Sequence, residues 1–271
     1  MSVIDEKVVL VTGASSGIGK TIAEHLQARG FRVFGTQRRA GGRENAVPLI
    51  SMDVDDDESV QQGVQKICQA AGRLDAVINN AGFAFLGAVE ETSLAEAKAQ
   101  FETNFFGVLR VCKAVLPIMR GQGSGYLINI SSLGGVLGTP FSGLYCAAKF
   151  ALEGMSESLR FETNQFGVKV VLIEPGDFKT GFTLARRLVE ASKTSAVYRE
   201  SFRRFMEAQS REEANAPTPE PIAYLAERIL NDPNPRLRYN VGMLSQRIVI
   251  PLKRFLPQGA VEWILRRSFS M

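Results

Sequence analysis

The sequence predicts an α/β fold, with a doubly wound parallel sheet of about seven strands and helices on both faces. Short apolar, β-branched runs alternate along the chain with longer stretches of helix-forming residues, which is the rhythm of βαβ units. Runs such as residues 8–11 and 170–173 do not alternate with polar residues. Continuous apolar runs are expected for strands that helices cover on both faces of a sheet.

The predicted elements alternate along the chain. The strands cover residues 8–11, 32–36, 48–52, 74–78, 126–130 and 168–173. The helices between them cover residues 20–29, 56–71, 94–120 and 145–166. A charged helical stretch from 182 to about 216 ends at Pro217, Pro219 and Pro221, which favours an insertion over a second domain.

Composition favours one domain over residues 1–271, with an insertion at about 181–220 and a basic carboxyl-terminal extension at 236–271. The hydrophobic share of 45% and the charged share of 22% indicate a packed core. No apolar run reaches the roughly 18 residues of a spanning helix, and the first residues lack a secretory pattern, so we expect a cytoplasmic protein. Three cysteines without paired spacing and a single histidine, His25, predict no metal site.

A glycine-rich turn stands between the first strand and the first helix. Glycines allow a tight turn and a close approach to a pyrophosphate, whose charge the free N–H groups of the helix start attract. This context predicts a dinucleotide site in a Rossmann-type sheet, although a turn that binds nothing is the alternative. The candidate contacts are Gly13, Ser15, Ser16, Gly17, Ile18 and Gly19.

The end of the second strand indicates which dinucleotide is bound. An acidic residue is common at this place in NAD-binding folds, whereas this chain has Gln37, Arg38 and Arg39. Two guanidinium groups suit a 2′-phosphate, so NADP(H) is predicted over NAD(H). The alternative is that both arginines are solvated loop charges. Asp53 and Val54, after the third strand, are candidates for contact with the adenine, although Asp53 could instead cap a helix.

Tyr145 and Lys149 are one helical turn apart and so lie on the same face of a predicted helix. A phenol with an ordinary pKa of about 10 needs roughly 4 kcal/mol of stabilisation of its anion to act near pH 7. An ammonium at about 4 Å supplies an energy of that order at an effective dielectric of about 20. Ser132, after the fifth predicted strand, is placed to donate to a substrate oxygen. A tyrosine and a lysine at this spacing also arise by chance.

Taken in order, these motifs resemble the short-chain dehydrogenase/reductase superfamily, in particular its hydroxysteroid- and retinol-dehydrogenase-like members, from residue 7 to about 180. The interval of 13 residues between Ser132 and Tyr145 is the usual one in that family, and Tyr145-x-x-x-Lys149 resembles its signature. Three further segments resemble its second glycine motif, its asparagine and its nicotinamide-holding segment: Asn80, Ala81 and Gly82; Asn104; and Pro175, Gly176, Phe178 and Thr180.

The resemblance implies an oxidoreductase that moves a hydride between NADP(H) and a carbonyl or an alcohol. Tyr145 would be the general acid in reduction and the base in oxidation. Lys149 would lower its pKa and hold the nicotinamide ribose, Ser132 would orient the carbonyl, and Asn104 would anchor a water in the proton path. For Ser132 and Asn104, purely local hydrogen bonds are the alternative. A homodimer or homotetramer built on helices 94–120 and 145–166 is also implied.

Apolar residues in the predicted loops above the sheet indicate a lipid-, steroid- or retinoid-like substrate. These residues are Phe83, Phe85, Leu86, Phe141 and Phe182. They could equally be ordinary core residues that anchor loops.

Two further hypotheses concern partners. Residues 236–271 contain seven Arg or Lys residues and one acidic residue, Glu262, so peripheral contact with an anionic membrane is one interpretation and folding onto the body of the protein is the other. A catalytically silent NADP(H) sensor or scaffold is the alternative function. The sequence has a basic pI but contains no motif that docks nucleic acid, so no nucleic-acid partner is predicted.

Overall fold

The computed structural model describes residues 6–38, 46–180, 186–253 and 255–269. Its strands are β1 Val8–Val11, β2 Arg32–Gln37, β3 Leu49–Ser51, β4 Ala76–Asn79, β5 Ala84–Leu86, β6 Gly125–Ile130, β7 Val168–Pro175, β8 Arg186–Leu188 and β9 Arg238–Val241. Seven of these form one sheet in the order β3-β2-β1-β4-β6-β7-β9, with every neighbouring pair parallel. The fold class predicted from the sequence is confirmed.

Helices cover both faces of this sheet. They are α1 Gly17–Ala28, α2 Asp57–Ala71, α3 Leu94–Phe101, α4 Gly107–Gln122, α5 Gly143–Thr163, α6 Arg199–Asn215, α7 Glu220–Leu230, α8 Leu244–Lys253 and α9 Gln258–Ser268. Within β1, Val9 and Val11 belong to the core cluster that contains α1 and α7 residues, while Val8 and Leu10 belong to the cluster with α2, α4 and α5 residues. This division explains why the strand is apolar at every position.

The predicted helix 94–120 is two helices joined by a wider turn. Ser93 begins α3 with a capping box, because its hydroxyl accepts from the N–H of Glu96 and the Glu96 carboxylate accepts from the N–H of Ser93. Residues Glu102–Phe106 form a π-helical turn before α4. Such turns are often found at functional sites, and this one contains Asn104.

The order of the strands creates a crevice between β1 and β4. The chain leaves β1 toward β2 on one side and later returns to β4 on the other, which is the switch point where ligands bind in open parallel sheets. The register pairs Val11 with Ile78, so the turn after β1 and the segment after β4 leave the sheet side by side. Two predicted motifs therefore meet at this edge.

Some elements have no counterpart in the predicted list. The seventh strand of the main sheet, β9, lies within the segment that the sequence marks only as a basic extension. It is an edge strand with the polar sequence Arg-Tyr-Asn-Val, so it lacks the apolar run of a central strand. The short strands β5 and β8 pair in a separate two-stranded sheet, and β8 lies within the stretch predicted to be an insertion. None of the helices in the described ranges combines the length and apolar character needed to cross a bilayer.

Candidate active site

A cavity of about 640 Å³ opens at the carboxyl ends of the central strands. Most of the predicted site residues line it. They are Gly13, Ser15, Ser16, Gly17, Ile18, Arg38, Val54, Asn80, Ala81, Gly82, Asn104, Ser132, Tyr145, Lys149, Pro175, Gly176, Phe178 and Thr180. Gly19 and Asp53 do not line it, and Arg39 lies outside the described residues.

The glycine-rich turn presents the amino terminus of α1 to the cavity. Gly13 and Gly17 adopt positive φ angles of +64° and +55°, a region in which a side chain is strained. Within the described part of the chain, the N-cap residue Ser16 makes no side-chain capping hydrogen bond, although α1 is 12 residues long. The first N–H groups of the helix therefore face a space suited to an anionic group such as a pyrophosphate.

Hydrogen bonds join this turn to the segment after β4. The Thr12 hydroxyl accepts from the N–H groups of Asn80 at 2.9 Å and Ala81 at 3.0 Å. In return, the Asn80 amide donates to the carbonyl oxygens of Thr12 at 2.9 Å and Gly13 at 3.1 Å. The side chain of Asn80 thus holds the cofactor turn in place. Thr12, which is 1% exposed, holds the turn together with Asn80. Sequence reasoning missed Thr12 because its role depends on the strand register.

Gly19 belongs to this packing and does not line the cavity. A Cβ atom at Gly19 would lie 2.3 Å from the Asn80 amide nitrogen, and one at Gly13 would lie 2.9 Å from the Cα of Ala81. The predicted cofactor contact of Gly19 stays a prediction, and the structure shows that this glycine packs against Asn80. Its glycine is required because the start of α1 packs closely against Asn80.

Arg38 lines the cavity at the end of β2, with 47% of its side chain exposed. Its guanidinium lies 3.8 Å from carboxylate oxygens of Asp53 and Asp55. The Asp53 carboxylate also accepts from the N–H of Asp55 at 3.1 Å. The Asp53 carboxylate thus faces Arg38 and its own loop, whereas the neighbouring Val54 lines the cavity. The predicted adenine contact of Asp53 stays a prediction.

Tyr145 and Ser132 meet at the centre of the site. Tyr145 lies in the first turn of α5, Ser132 follows β6, and their side chains are hydrogen-bonded. The Ser132 Oγ also accepts from the N–H of Gly134 at 3.0 Å, so the serine hydroxyl is held in the loop beside the phenol. Burial raises the pKa of Tyr145 to about 12.

Lys149 lies one turn along α5 and is 6% exposed. Its ammonium donates to the carbonyl oxygen of Ile130 at 2.7 Å and lies 5.9 Å from the centre of the Tyr145 ring. Burial lowers the pKa of Lys149 to about 8, while the nearby Glu153 carboxylate acts in the opposite direction. Lys149 was expected to lower the pKa of Tyr145. In the folded protein the pKa of Tyr145 is raised instead, because desolvation of the buried phenol dominates.

Asn104 is fully buried in the π-helical turn. Its amide oxygen accepts from the N–H of Phe83 at 3.1 Å, and its amide nitrogen donates to the carbonyl oxygen of the same residue at 2.9 Å. These two bonds fix the segment that follows Gly82, so the side chain has a structural role. The proposed anchoring of a water by Asn104 stays a prediction.

A buried ionic cluster that the sequence did not indicate lies behind Lys149. The Nε of Arg238, on β9, is 2.8 Å from a Glu153 oxygen and 3.3 Å from a Glu174 oxygen. Glu153 and Glu174 are 5% and 1% exposed, so both depend on this cation. Burial and the Glu153 charge raise the pKa of Glu174 to about 7. The cluster connects the edge of the sheet to the lysine of the candidate site.

Apolar side chains form much of the remaining cavity wall: Phe83, Ala84, Leu86, Leu133, Leu137, Ile264, Leu265 and Phe269. The last three come from α9 and the residue after it, which were not predicted to line the site. Phe85 and Phe141 do not line the cavity. Phe141 packs against the rings of Phe202 and Phe205, at centroid distances of 5.2 and 5.4 Å, and Phe182 lies outside the described residues.

Polar side chains occupy another part of the wall. Asp177 accepts from the amide nitrogens of Gln246 at 2.7 Å and Gln209 at 3.2 Å. Burial beside the Asp177 carboxylate raises the pKa of Glu212. These residues come from three distant segments, so no local motif identifies them.

Comparisons with known proteins identify the family. A family model described as short chain dehydrogenase matches residues 7–191. A 3-ketodihydrosphingosine reductase of Bacteroides thetaiotaomicron is 42% identical over 98% of this chain and 98% of that protein. Estradiol 17-beta-dehydrogenase 1 of Rattus norvegicus is 33% identical over 98% of this chain and 83% of that protein. A solved short-chain dehydrogenase of Streptomyces avermitilis has a TM-score of 0.81 and 33% identity, and the match covers 97% of this chain and 98% of that one.

Thr12→Val tests the connection between the two loops. The change removes the acceptor of two N–H groups, and each buried donor left unsatisfied costs about 1–3 kcal/mol. We expect the free energy of unfolding, measured by urea denaturation, to fall by about 2 kcal/mol or more, and dinucleotide affinity to fall with it. Thr12→Ser keeps the hydroxyl and is the matched control. Equal stability of the valine and serine variants would contradict the assigned role.

Proposed function

The chain belongs to the short-chain dehydrogenase family and is an oxidoreductase acting on CH–OH and C=O groups, and we propose that it is an NADP(H)-dependent reductase of apolar, lipid-like ketones. The observation that carries the proposal is the hydrogen-bonded Tyr145–Ser132 pair in the cavity onto which the amino terminus of α1 opens. Family membership favours an enzyme over the alternative of a silent sensor or scaffold.

The residues present fit a nicotinamide dinucleotide. The uncapped start of α1, with Ser15 and Ser16, suits the pyrophosphate, and Arg38 suits a 2′-phosphate. Pro175, Gly176, Phe178, Thr180 and Lys149 line the same cavity as Tyr145 and would hold the nicotinamide end. NADP(H) is proposed over NAD(H) because the described end of β2 offers a guanidinium at this position and no carboxylate.

The bound nicotinamide supplies the hydride in the direction of reduction, so the protein must hold the carbonyl and supply a proton. Ser132 donates to the carbonyl oxygen and keeps it beside the phenol. Tyr145 gives its proton to that oxygen as negative charge develops there. A phenol with a raised pKa keeps its proton near neutral pH but gives it up less readily, so proton donation by Tyr145 depends on the positive charge of Lys149.

Lys149 places a positive charge behind this proton transfer. The pKa of Lys149 is lowered to about 8, which is close to neutral pH, so a further decrease would remove the proton from much of the amine. The Glu153 carboxylate, itself held by Arg238, favours the charged form of the lysine. We propose that Arg238 and Glu153 act through Lys149 as positioning residues.

The cavity walls support a long apolar substrate with a polar end. Residues Ile264, Leu265 and Phe269 add apolar walls to the cavity. The relative with 42% identity is a 3-ketodihydrosphingosine reductase. That compound is a long-chain ketone with an amino group on the carbon next to the carbonyl and a hydroxyl group on the following carbon. Asp177 and Glu212 place carboxyl groups on the polar wall, where they suit such a head group. We propose this substrate class first, with steroid and retinoid carbonyls as the alternatives.

We also propose a homodimer or homotetramer. Exposed apolar side chains on α3, α5 and the π-helical turn support it: Leu94, Phe106, Phe150 and Phe161 are 78%, 43%, 44% and 84% exposed. A cytoplasmic location is proposed as well, since Cys68, Cys112 and Cys146 are free thiols. The basic carboxyl-terminal segment is proposed to contact a membrane.

A substrate panel tests the function. NADPH consumption should be seen with 3-ketodihydrosphingosine or with a steroid or retinoid carbonyl, and not with ketose sugars. Tyr145→Phe should lower turnover about a hundredfold to ten-thousandfold while NADPH binding is kept, because only the proton donor is removed. Turnover of sugars alone would contradict the apolar substrate, and full activity of the phenylalanine variant would contradict the role of Tyr145.

Arg38→Ala tests the cofactor. A charge-assisted hydrogen bond contributes about 1.5–3 kcal/mol, so the Kd for NADPH should rise roughly 10- to 150-fold. The Kd for NADH should stay unchanged, because NADH lacks the 2′-phosphate. Both are measured by quenching of intrinsic fluorescence, with the exposed Lys66→Ala on α2 as the control. An equal loss of affinity for both dinucleotides would argue against a 2′-phosphate contact.

Glu153→Gln tests the ionic cluster behind the lysine. Removal of the negative charge lowers the pKa of Lys149 further, so the basic limb of the kcat/KM profile for ketone reduction should move to lower pH. Glu157→Gln is the matched control, because Glu157 also pairs with Arg238, at 2.8 Å, but is 51% exposed. The same profile for both variants and the wild type would show that Glu153 does not act through Lys149.

A further inference from the structure

Helix α9 separates the substrate cavity from solvent. Ile264, Leu265 and Ser268 of this helix, and Phe269 after it, line the cavity. Phe269 is 7% exposed and packs against Phe205, with ring centroids 5.4 Å apart. The inner face of α9 is therefore part of the wall of the binding site.

The outer face of the same helix exposes aromatic and basic side chains. Trp263 is 62% exposed, Phe255 in the turn before the helix is 84% exposed, and Arg266 and Arg267 are exposed beside them. The guanidinium of Arg267 lies 5.7 Å from the centre of the Trp263 ring. We call Phe255, Trp263, Arg266 and Arg267 the outer α9 face.

Helix α8 repeats this arrangement on a smaller scale. Its residues Ser245 and Gln246 line the cavity, while Leu244 is 68% exposed and Arg247 is exposed. Two consecutive helices thus combine an inward contact with the substrate cavity and an outward apolar and basic surface. The only acidic residue of the segment 236–271 is Glu262.

The chemistry of the outer α9 face fits an anionic bilayer. Tryptophan side chains are enriched at the interface between lipid and water, where an apolar ring lies next to polar head groups. Arginine side chains pair with lipid phosphates, and each basic residue near an anionic surface adds about fivefold to partitioning. Trp263 has the guanidinium of Arg267 over its ring, and Arg266 is exposed beside them. This group of side chains meets both requirements.

We infer that the outer α9 face docks on an anionic lipid bilayer and that the substrate cavity takes up its ligand from that bilayer past α9. The uptake step rests on the proposed function, since it needs a lipid-like ketone. The docking step rests on the exposed surface alone. The two steps therefore have separate readouts.

Vesicle sedimentation tests docking. The full chain should partition onto vesicles of phosphatidylcholine mixed with phosphatidylglycerol and much less onto phosphatidylcholine alone. Arg266→Gln should lower partitioning about fivefold, and the double change with Arg267→Gln roughly 30-fold. Lys66→Gln, an exposed charge on α2, should leave it unchanged. Equal sedimentation with both kinds of vesicle, or of all variants, would overturn the inference.

Trp263→Ala tests the apolar part of the surface. It should weaken vesicle binding, while Tyr224→Ala, which removes an aromatic ring of 59% exposure from α7, should not. Equal binding by both variants would overturn the assignment to this face. If light scattering instead shows that Trp263→Ala dissociates an oligomer, the face is an interface between copies of this chain and the inference is wrong.

Kinetics tests uptake from the bilayer. With the ketone embedded in anionic vesicles, the Arg266→Gln/Arg267→Gln variant should have a lower apparent kcat/KM, and with a water-soluble ketone it should match the wild type. If the variant and the wild type had the same apparent kcat/KM in both formats, the uptake step would be overturned. Absence of NADPH turnover with every ketone in both formats would instead refute the proposed function, while sedimentation would still decide docking.

Discussion

The hydrogen bonds between Thr12 and the segment Asn80–Ala81 are the interaction on which the geometry of the site depends. They join two loops that leave neighbouring parallel strands at the switch point of the sheet. Because the Asn80 amide donates to carbonyl oxygens of the glycine turn, the turn keeps its shape without a ligand. The amino terminus of α1 is therefore preorganised to receive an anion, and the cost of ordering the loop is met during folding.

Burial changes the pKa values of Tyr145 and Lys149, and the spacing of the two residues along the helix does not reveal this change. One helical turn between Tyr145 and Lys149 indicates that an ammonium is within reach of a phenol. The folded protein adds desolvation, which raises the pKa of the phenol and lowers that of the amine, since both charged forms lose water. The result is a phenol that keeps its proton, beside a lysine whose charged form Glu153 favours. In the proposed reduction, that positive charge is needed for the phenol to give up its proton.

Local patterns predicted the central strands and most of the cofactor turn, and tertiary contacts determined the rest. Apolar runs such as Val8–Val11 predict central strands because both faces are covered, whereas the polar edge strand β9 has no such signal. The packing of Gly19 against Asn80 was not predicted, because a glycine motif does not show which neighbouring side chain a glycine approaches. The wall formed by α9 depends on how a distant segment folds back, which no local spacing encodes.

The family match ends at residue 191, yet the cavity continues beyond it. Residues before that limit supply the dinucleotide turn and the Ser132–Tyr145–Lys149 group, which any carbonyl substrate would use. Residues after it supply the polar wall at Gln209, Glu212 and Gln246 and the apolar wall of α9, and Arg238 reaches back to Glu153 behind the lysine. The segment after residue 191 therefore shares the cavity wall with Phe83, Leu86 and Leu133 from the matched region, while the tyrosine, serine and lysine of the site all precede it. Because α9 both lines the cavity and exposes Arg266 and Arg267, the proposed docking surface and the cavity wall share one helix, so a change in the position of this helix would affect both.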